Sequence, residues 1–172
     1  MREIYLAGGC FWGTQHYLKQ IRGVVATETG YANGRLEHPT YEQVYTDTTG
    51  FAETVRVVYD PGQLSLRFLV ELYFRSIDPL SLNRLGGDCG TRYRTGIYYT
   101  DPADEPLLRE LCERVAAAAG QPLAVELEPL RNFWPAEAYH QDYLDKNPDG
   151  YCHIPLALMQ AAREARETRA EE

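Results

Sequence analysis

The first twenty residues constrain this chain more than any other stretch. Ile4-Tyr5-Leu6-Ala7 is an apolar run that reads as a buried strand, and Thr14 to Ile21 reads as a helix. Between them lies Gly8-Gly9-Cys10-Phe11-Trp12-Gly13. A strand that bends sharply into a helix needs glycine at the bend, and these glycines also leave the sulfur open to approach. The bend delivers Cys10 to the place where the first unpaired N–H groups of a helix point. Their partial positive charge favours a thiolate over a thiol. Phe11 and Trp12 are costly to expose, so they belong to the core or line a pocket beside the sulfur. The pattern admits a buried cysteine in a glycine-rich turn. It also admits a nucleophilic cysteine with an apolar receptor, which the flanking glycines and paired rings favour.

The rest of the composition excludes more than it assigns. A chain of 172 residues is long enough for one domain, 1–172, with a substantial core. A net charge of −8 argues against a nucleic-acid partner, because phosphate binding draws on an excess of Lys and Arg. No apolar run approaches the roughly 20 residues of a membrane span. The first strand starts almost at Met1, which leaves no room for a signal peptide and sets a cytoplasmic expectation. The cysteines at 10, 89, 112 and 152 form no CxxC pair. With the histidines at 16, 38, 140 and 153 they show no zinc spacing, so no metal is expected. A cysteine phosphatase would need an Arg at the end of the cysteine loop, where His16 stands.

Along the chain, Gly23 is a helix stop and Val24 to Thr29 reads as a strand. Gly30 to Gly34 reads as a turn cluster, and Pro39 to Tyr45 as a short helix or turn carrying aromatics. Thr54 to Tyr59 is a β-branched strand, closed by Asp60-Pro61-Gly62. Ser65 caps a helix over Leu66 to Ile77, whose stripe of Phe68, Leu69, Leu72 and Tyr73 reads as core. A long loop, Asp78 to Arg94, is pinned by the strand Thr95 to Tyr99, which favours a functional loop. Asp101-Pro102 opens a helix to about Ala119, and Ala124 to Leu130 reads as the last strand. Phe133, Trp134, Tyr139 and Tyr143 read as tail packing, with His140 tying the tail to the body. Leu156 to Ala170 reads as a solvated, peripheral helix that frays. The element order suggests a mixed two-layer α/β (α+β) domain, sheet on one side and helices on the other.

Gly-Cys-Phe-Trp-Gly at 9–13 resembles the active-site signature of the A-class peptide methionine-(S)-sulfoxide reductases. Gly30 to Gly34, Pro39-Thr40-Tyr41, Thr49 to Glu53, Leu82 to Arg84 with Asp88, and Gly90 to Arg94 resemble further family segments in the same order. So do Pro135 to Tyr143, Asn147-Pro148 and Gly150-Tyr151-Cys152. The resemblance implies a ferredoxin-like core with a long C-terminal coil tail. It implies a reductase that acts on the S-epimer of methionine sulfoxide, free or in proteins, and so repairs oxidative damage. Cys10 would attack the sulfoxide sulfur and Glu53 would protonate its oxygen, assisted by the hydroxyls of Tyr31 and Tyr93. A carboxyl among aromatics has a raised pKa and holds its proton near neutrality. Phe11 and Trp12 would wall the substrate methyl group, and Asp88 would order the loop around Tyr93. Cys10 would become a sulfenic acid that Cys152 resolves to a disulfide. Thioredoxin or another dithiol would reduce that disulfide, with no bound cofactor.

Two residues depart from the family pattern: Phe51, where His is more usual, and Arg92, where Gln is common. Cys89 lies outside the pattern and either competes with Cys152 or is a spectator; Cys112 reads as core. Another kind of cysteine enzyme, or a module that merely binds methionine-containing segments, are the alternative readings.

Overall fold

A computed structural model describes residues 1–85 and 87–167. Strand β1 (Arg2–Gly8) leads through Gly9 and Cys10 directly into helix α1 (Phe11–Leu18), as the opening sequence predicts. Strand β2 (Val24–Ala32), the short helix α2 (Tyr41–Tyr45), strand β3 (Ala52–Tyr59) and helix α3 (Leu66–Arg75) follow. The long loop folds into a small ribbon, β4 (Arg84–Leu85) with β5 (Asp88–Cys89), and one 3-10 turn, Thr91–Tyr93. Then come β6 (Thr95–Tyr99), α4 (Glu105–Ala119), β7 (Glu126–Pro129), β8 (Phe133–Pro135), α5 (Tyr143–Lys146) and α6 (Leu156–Glu164).

The main sheet runs β7-β6-β1-β3-β2-β8. Its middle four strands are antiparallel in the order β6-β1-β3-β2, with α1 and α3 as crossovers, which is the ferredoxin-like arrangement. β7 adds in parallel to β6 through α4, so the sheet is mixed. The core explains the alternation along the central strands. Ile4 and Leu6 of β1 and Val55, Val57 and Tyr59 of β3 face the helix layer together with Leu69, Leu72 and Tyr73 of α3. Each such burial stabilises by about 1.5–3 kcal/mol. A smaller cluster of Tyr5, Ala7, Ala32, Ala52 and Tyr98 covers the opposite face. Since strand side chains alternate, the register that buries Val55 and Val57 also turns Glu53 into the helix layer. Ser65 caps α3 by accepting the Phe68 N–H at 3.1 Å.

Three expectations are corrected. Gly30, Tyr31 and Ala32 continue β2 rather than turning; the turn comes at Asn33, whose φ is +56°. Gly30 serves a close approach: a Cβ there would lie 2.3 Å from the Phe133 ring. That ring belongs to β8, a strand within what reads as an irregular aromatic tail, so β7 is not the last strand. α6 is amphipathic and not wholly solvated, since Met159 and Ala162 are buried in the main core. The end of the predicted helix, residues 168–170, lies outside the described residues.

Candidate functional site

Cys10 is the residue before α1, with φ −56° and ψ 123°, so it stands at the mouth of the helix. The N–H groups of Trp12 and Gly13 point at its sulfur. The Asp88 carboxyl, reaching across from β5, takes the Cys10 N–H and accepts the Tyr151 hydroxyl at 3.2 Å. Asp88 therefore fixes the backbone of Cys10. Cys10 is 7% exposed, buried but not sealed.

The thiolate expectation fails for this resting site. Burial pushes the Cys10 thiol well above its ordinary range, and Glu53 pushes it further. The helix mouth is worth about 0.3–1 kcal/mol, whereas burial can move a pKa by several units.

Glu53 is 1% exposed and sits directly across from Tyr31 in the β2–β3 register. Its Oε1 accepts the Phe11 N–H at 3.1 Å, which ties the acid to the first turn of α1. Its Oε2 has no hydrogen-bond partner among the described residues. Burial pushes this carboxyl up to about 8, so it holds a proton at neutral pH. Acid and thiol are both uncharged, each with a reason to stay so.

The tyrosines divide differently from the expectation. Tyr31 is fully buried, and its hydroxyl donates to Glu137 Oε1 at 2.8 Å. Its hydroxyl proton is committed to the tail and not to Glu53 or Cys10. The other oxygen of Glu137 accepts the Tyr41 N–H at 3.1 Å, so Tyr31 and Glu137 together place Tyr41. Tyr41 is the residue the sequence reading missed. Burial lifts its hydroxyl to about 12, and the next two causes are Glu53 and Cys10. Tyr93 is raised by burial and then by Glu53, with Cys10 also acting on it. Tyr41 and Tyr93 are thus the two hydroxyls that feel both acid and sulfur. A sequence signal existed: Thr40 and Gln43 form a reciprocal cap that puts Tyr41 in the first turn of α2.

The ring pair also divides. Phe11 is fully buried against Tyr31 and His140, so it backs the site from the core and presents no surface of its own. Trp12 is half-buried, stacks on Tyr143 at 3.7 Å, and donates its Nε1–H to His140 Nδ1 at 2.9 Å. Arg92 lies between the rings of Tyr45 and Tyr93, 4.2 Å and 4.3 Å from their centres, and pairs with Asp47 at 2.5 Å. It pulls Glu53 down, against the larger effect of burial. Phe51 packs face-on over Gly34 and is buried.

All four cysteines are free thiols. Cys152 is half-buried and donates to the Ile154 carbonyl at 3.3 Å. Its sulfur stands 3.1 Å from where a Gly13 Cβ would be, beside the residue whose N–H points at Cys10. Cys152 also lines an open cleft with Leu144, Pro148, Gly150, Leu156 and Met159. Cys89 follows Asp88 on β5 and is exposed; alternation turns it away from the face Asp88 presents to Cys10. Cys112 is half-buried against the main core. Among the described residues no group of three or more His, Cys, Asp or Glu is placed to hold a metal ion.

The family model described as peptide methionine sulfoxide reductase matches residues 2–172. A peptide methionine sulfoxide reductase MsrA of Clostridium acetobutylicum is 50% identical over 159 residues, covering 92% of this chain and 98% of that protein. One from Clostridium perfringens is 51% identical over 156 residues, covering 91% and 99%. Reduced Mxr1 from Saccharomyces cerevisiae superposes with a TM-score of 0.84 at 40% identity, covering 88% of each chain. Mxr1 in complex with Trx2 superposes at 0.59 and 30% identity, covering 83% of this chain and 84% of that one.

Proposed function

The chain belongs to the peptide methionine sulfoxide reductase family, and from that premise we propose which of its residues carry each step. The protein reduces methionine sulfoxide with thiols and is recycled by thioredoxin, without a bound cofactor. Cys10 is the nucleophile, Glu53 the acid, and Cys152 the resolving thiol. Tyr41 and Tyr93 are the hydroxyls that steady the sulfoxide oxygen. The observation that carries this reading is the unpaired Oε2 of a buried, protonated Glu53 held on the same helix turn as Cys10.

A sulfoxide brings a partial negative oxygen and a partial positive sulfur. The oxygen supplies the acceptor that Oε2 lacks and takes the Glu53 proton, which makes the sulfur electrophilic. The Cys10 thiol gives its electron pair to that sulfur and its proton back to Glu53; the hydroxyl then passes from the substrate sulfur to the Cys10 sulfur as the S–S bond of this adduct breaks and leaves its electron pair on the methionine sulfur. The products are methionine and a Cys10 sulfenic acid, with no proton gained or lost overall. Reversing methyl and oxygen would bury the oxygen against Trp12 and leave Glu53 unsatisfied, so the site selects one epimer, the S form. Cys152 then displaces hydroxide from Cys10 to give a disulfide, which a dithiol reaches through the open cleft.

Residues 1–172 act as one domain in this reading, and α6 is peripheral to the chemistry. Thiol recycling needs a reducing compartment, so we place the protein in the cytoplasm. No helix among the described residues is long and apolar enough to cross a membrane. The test is one turnover without reductant, followed by peptide mapping. One methionine and one Cys10–Cys152 disulfide per chain are expected. A Cys10→Ser variant that still forms methionine would remove the nucleophile.

A further inference from the structure

His153, next to the resolving thiol, is a half-buried base that the steps above leave unused. Its Nε2 is 2.8 Å from the Gly8 carbonyl. A carbonyl only accepts, so the proton is on Nε2 and Nδ1 carries a lone pair. Nδ1 is buried and has no hydrogen-bond partner among the described residues. It lies 2.9 Å from where a Gly13 Cβ would stand, and the Cys152 sulfur lies 3.1 Å from the same point. Both atoms border the space that Gly13 leaves empty, on the turn whose N–H points at Cys10, and no hydrogen bond joins them at rest.

We infer that His153 Nδ1 takes the proton from the Cys152 thiol and passes it to the hydroxide leaving Cys10 when the disulfide forms. The inference rests on Cys152 being the resolving thiol. Cys152 Sγ–H leaves the Ile154 carbonyl to which it donates at rest and gives its proton to Nδ1, and the thiolate attacks the Cys10 sulfur. The S–O bond of the sulfenic acid breaks as the S–S bond forms, and the oxygen leaves as water with the proton from Nδ1. Cys152 is oxidised, Cys10 is reduced, and no outside reactant enters.

The need for a base is physical. Burial holds the Cys152 thiol above its ordinary range, so few molecules ionise unaided near neutrality. Burial also lowers His153, which keeps it neutral and able to accept. The polar groups that face it are Asp88 from β5 and the Gly8 carbonyl from β1, with Cys152 of its own segment across the Gly13 space. Asp88 and the Gly8 carbonyl both favour the imidazolium formed in transit.

The test is a rapid-quench single turnover of the full chain with methionine sulfoxide and no reductant. It scores methionine and the disulfide separately in the wild type and in His153→Asn. Methionine formation should stay within about twofold. Disulfide formation at pH 7 should slow at least tenfold, with sulfenic acid accumulating for dimedone to trap. The deficit should close as pH rises into the range where Cys152 ionises unaided, a range that burial moves upward. An unchanged disulfide rate, a deficit equal at every pH, or a lost methionine burst would each overturn the inference. If the variant does not fold, the wild-type profile decides. With His153 as base, the disulfide rate is flat from pH 7 to 8; a tenfold rise per pH unit there means that thiolate alone attacks. Absence of any Cys10–Cys152 disulfide in the wild type would instead remove the resolving role of Cys152, a separate failure.

Discussion

The two sulfurs proposed to react sit in regions built on different physics. Cys10 rests on β1, α1 and β3, where Ile4, Leu6, Phe11 and Val55 are all fully buried. Nothing there can shift without opening the core. Cys152 belongs to the tail, which packs on the core through Ile154, Met159 and Ala162 and is otherwise moored by polar contacts. Gln141 reaches Thr29 at 2.9 Å, the Asp142 N–H reaches Gln15 at 2.9 Å, Trp12 reaches His140, and His153 reaches Gly8. Each such bond is worth about 0.5–1.5 kcal/mol net. The first step needs a nucleophile and an acid fixed against each other. The second needs a thiol that can swing in, and the dithiol needs a thiol it can reach. The molecule separates the requirements by placing one in the core and the other on a moored tail.

Glu53→Gln strikes the rigid half hardest. Methionine formation should fall by about 10²–10⁴, read by single-turnover assay. The same change should stabilise the fold. A folded-state value near 8 against an ordinary 4.5 means that stability is lost as pH rises between them, because the unfolded chain releases a proton the folded chain keeps. At pH 7 the neutral amide removes a penalty of about 3 kcal/mol, measurable by denaturant titration, and the gain should vanish below about pH 4.5. Cys152→Ser should leave the single turnover intact and cut steady-state turnover with thioredoxin at least a hundredfold. Full recycling would transfer the resolving role to Cys89 and erase the contrast between core and tail. Gly13→Ala probes the seam: its Cβ would meet His153 Nδ1 at 2.9 Å and Cys152 at 3.1 Å. Disulfide formation should slow by about tenfold while methionine formation changes little, since the tail yields and the core does not. Arg92→Gln is the mildest. Removing a cation that pulls Glu53 down should carry activity to higher pH, seen as an alkaline shift of the falling limb of the pH–rate profile.

The same division governs what the sequence made legible. β1, the start of α1, the Ser65 cap and β6 follow from local apolar period and turn chemistry, and so does the buried Cys10 turn. The acid was readable because the alternation that buries Val55 and Val57 also buries Glu53. The resting charge of Cys10 was not, because a helix mouth is visible in sequence and the burial that outweighs it is tertiary. Tyr31 and Tyr41 are ten residues apart in similar aromatic surroundings. Only the contact with Glu137, contributed from the tail, decides which hydroxyl is free. β8 was hidden for a like reason: its three residues become a strand only by pairing with the end of β2.

The ring of Trp12 straddles the two regions. Its backbone belongs to the helix that Cys10 leads into, while both of its neighbours, Tyr143 in flat contact and His140 on its N–H, belong to the tail. Any excursion that carries Cys152 and its segment off the body strips this indole of a stacking partner and a hydrogen bond together. The protein therefore carries its own optical gauge: emission from Trp12 should rise and fall with tail position through each redox cycle, without a label.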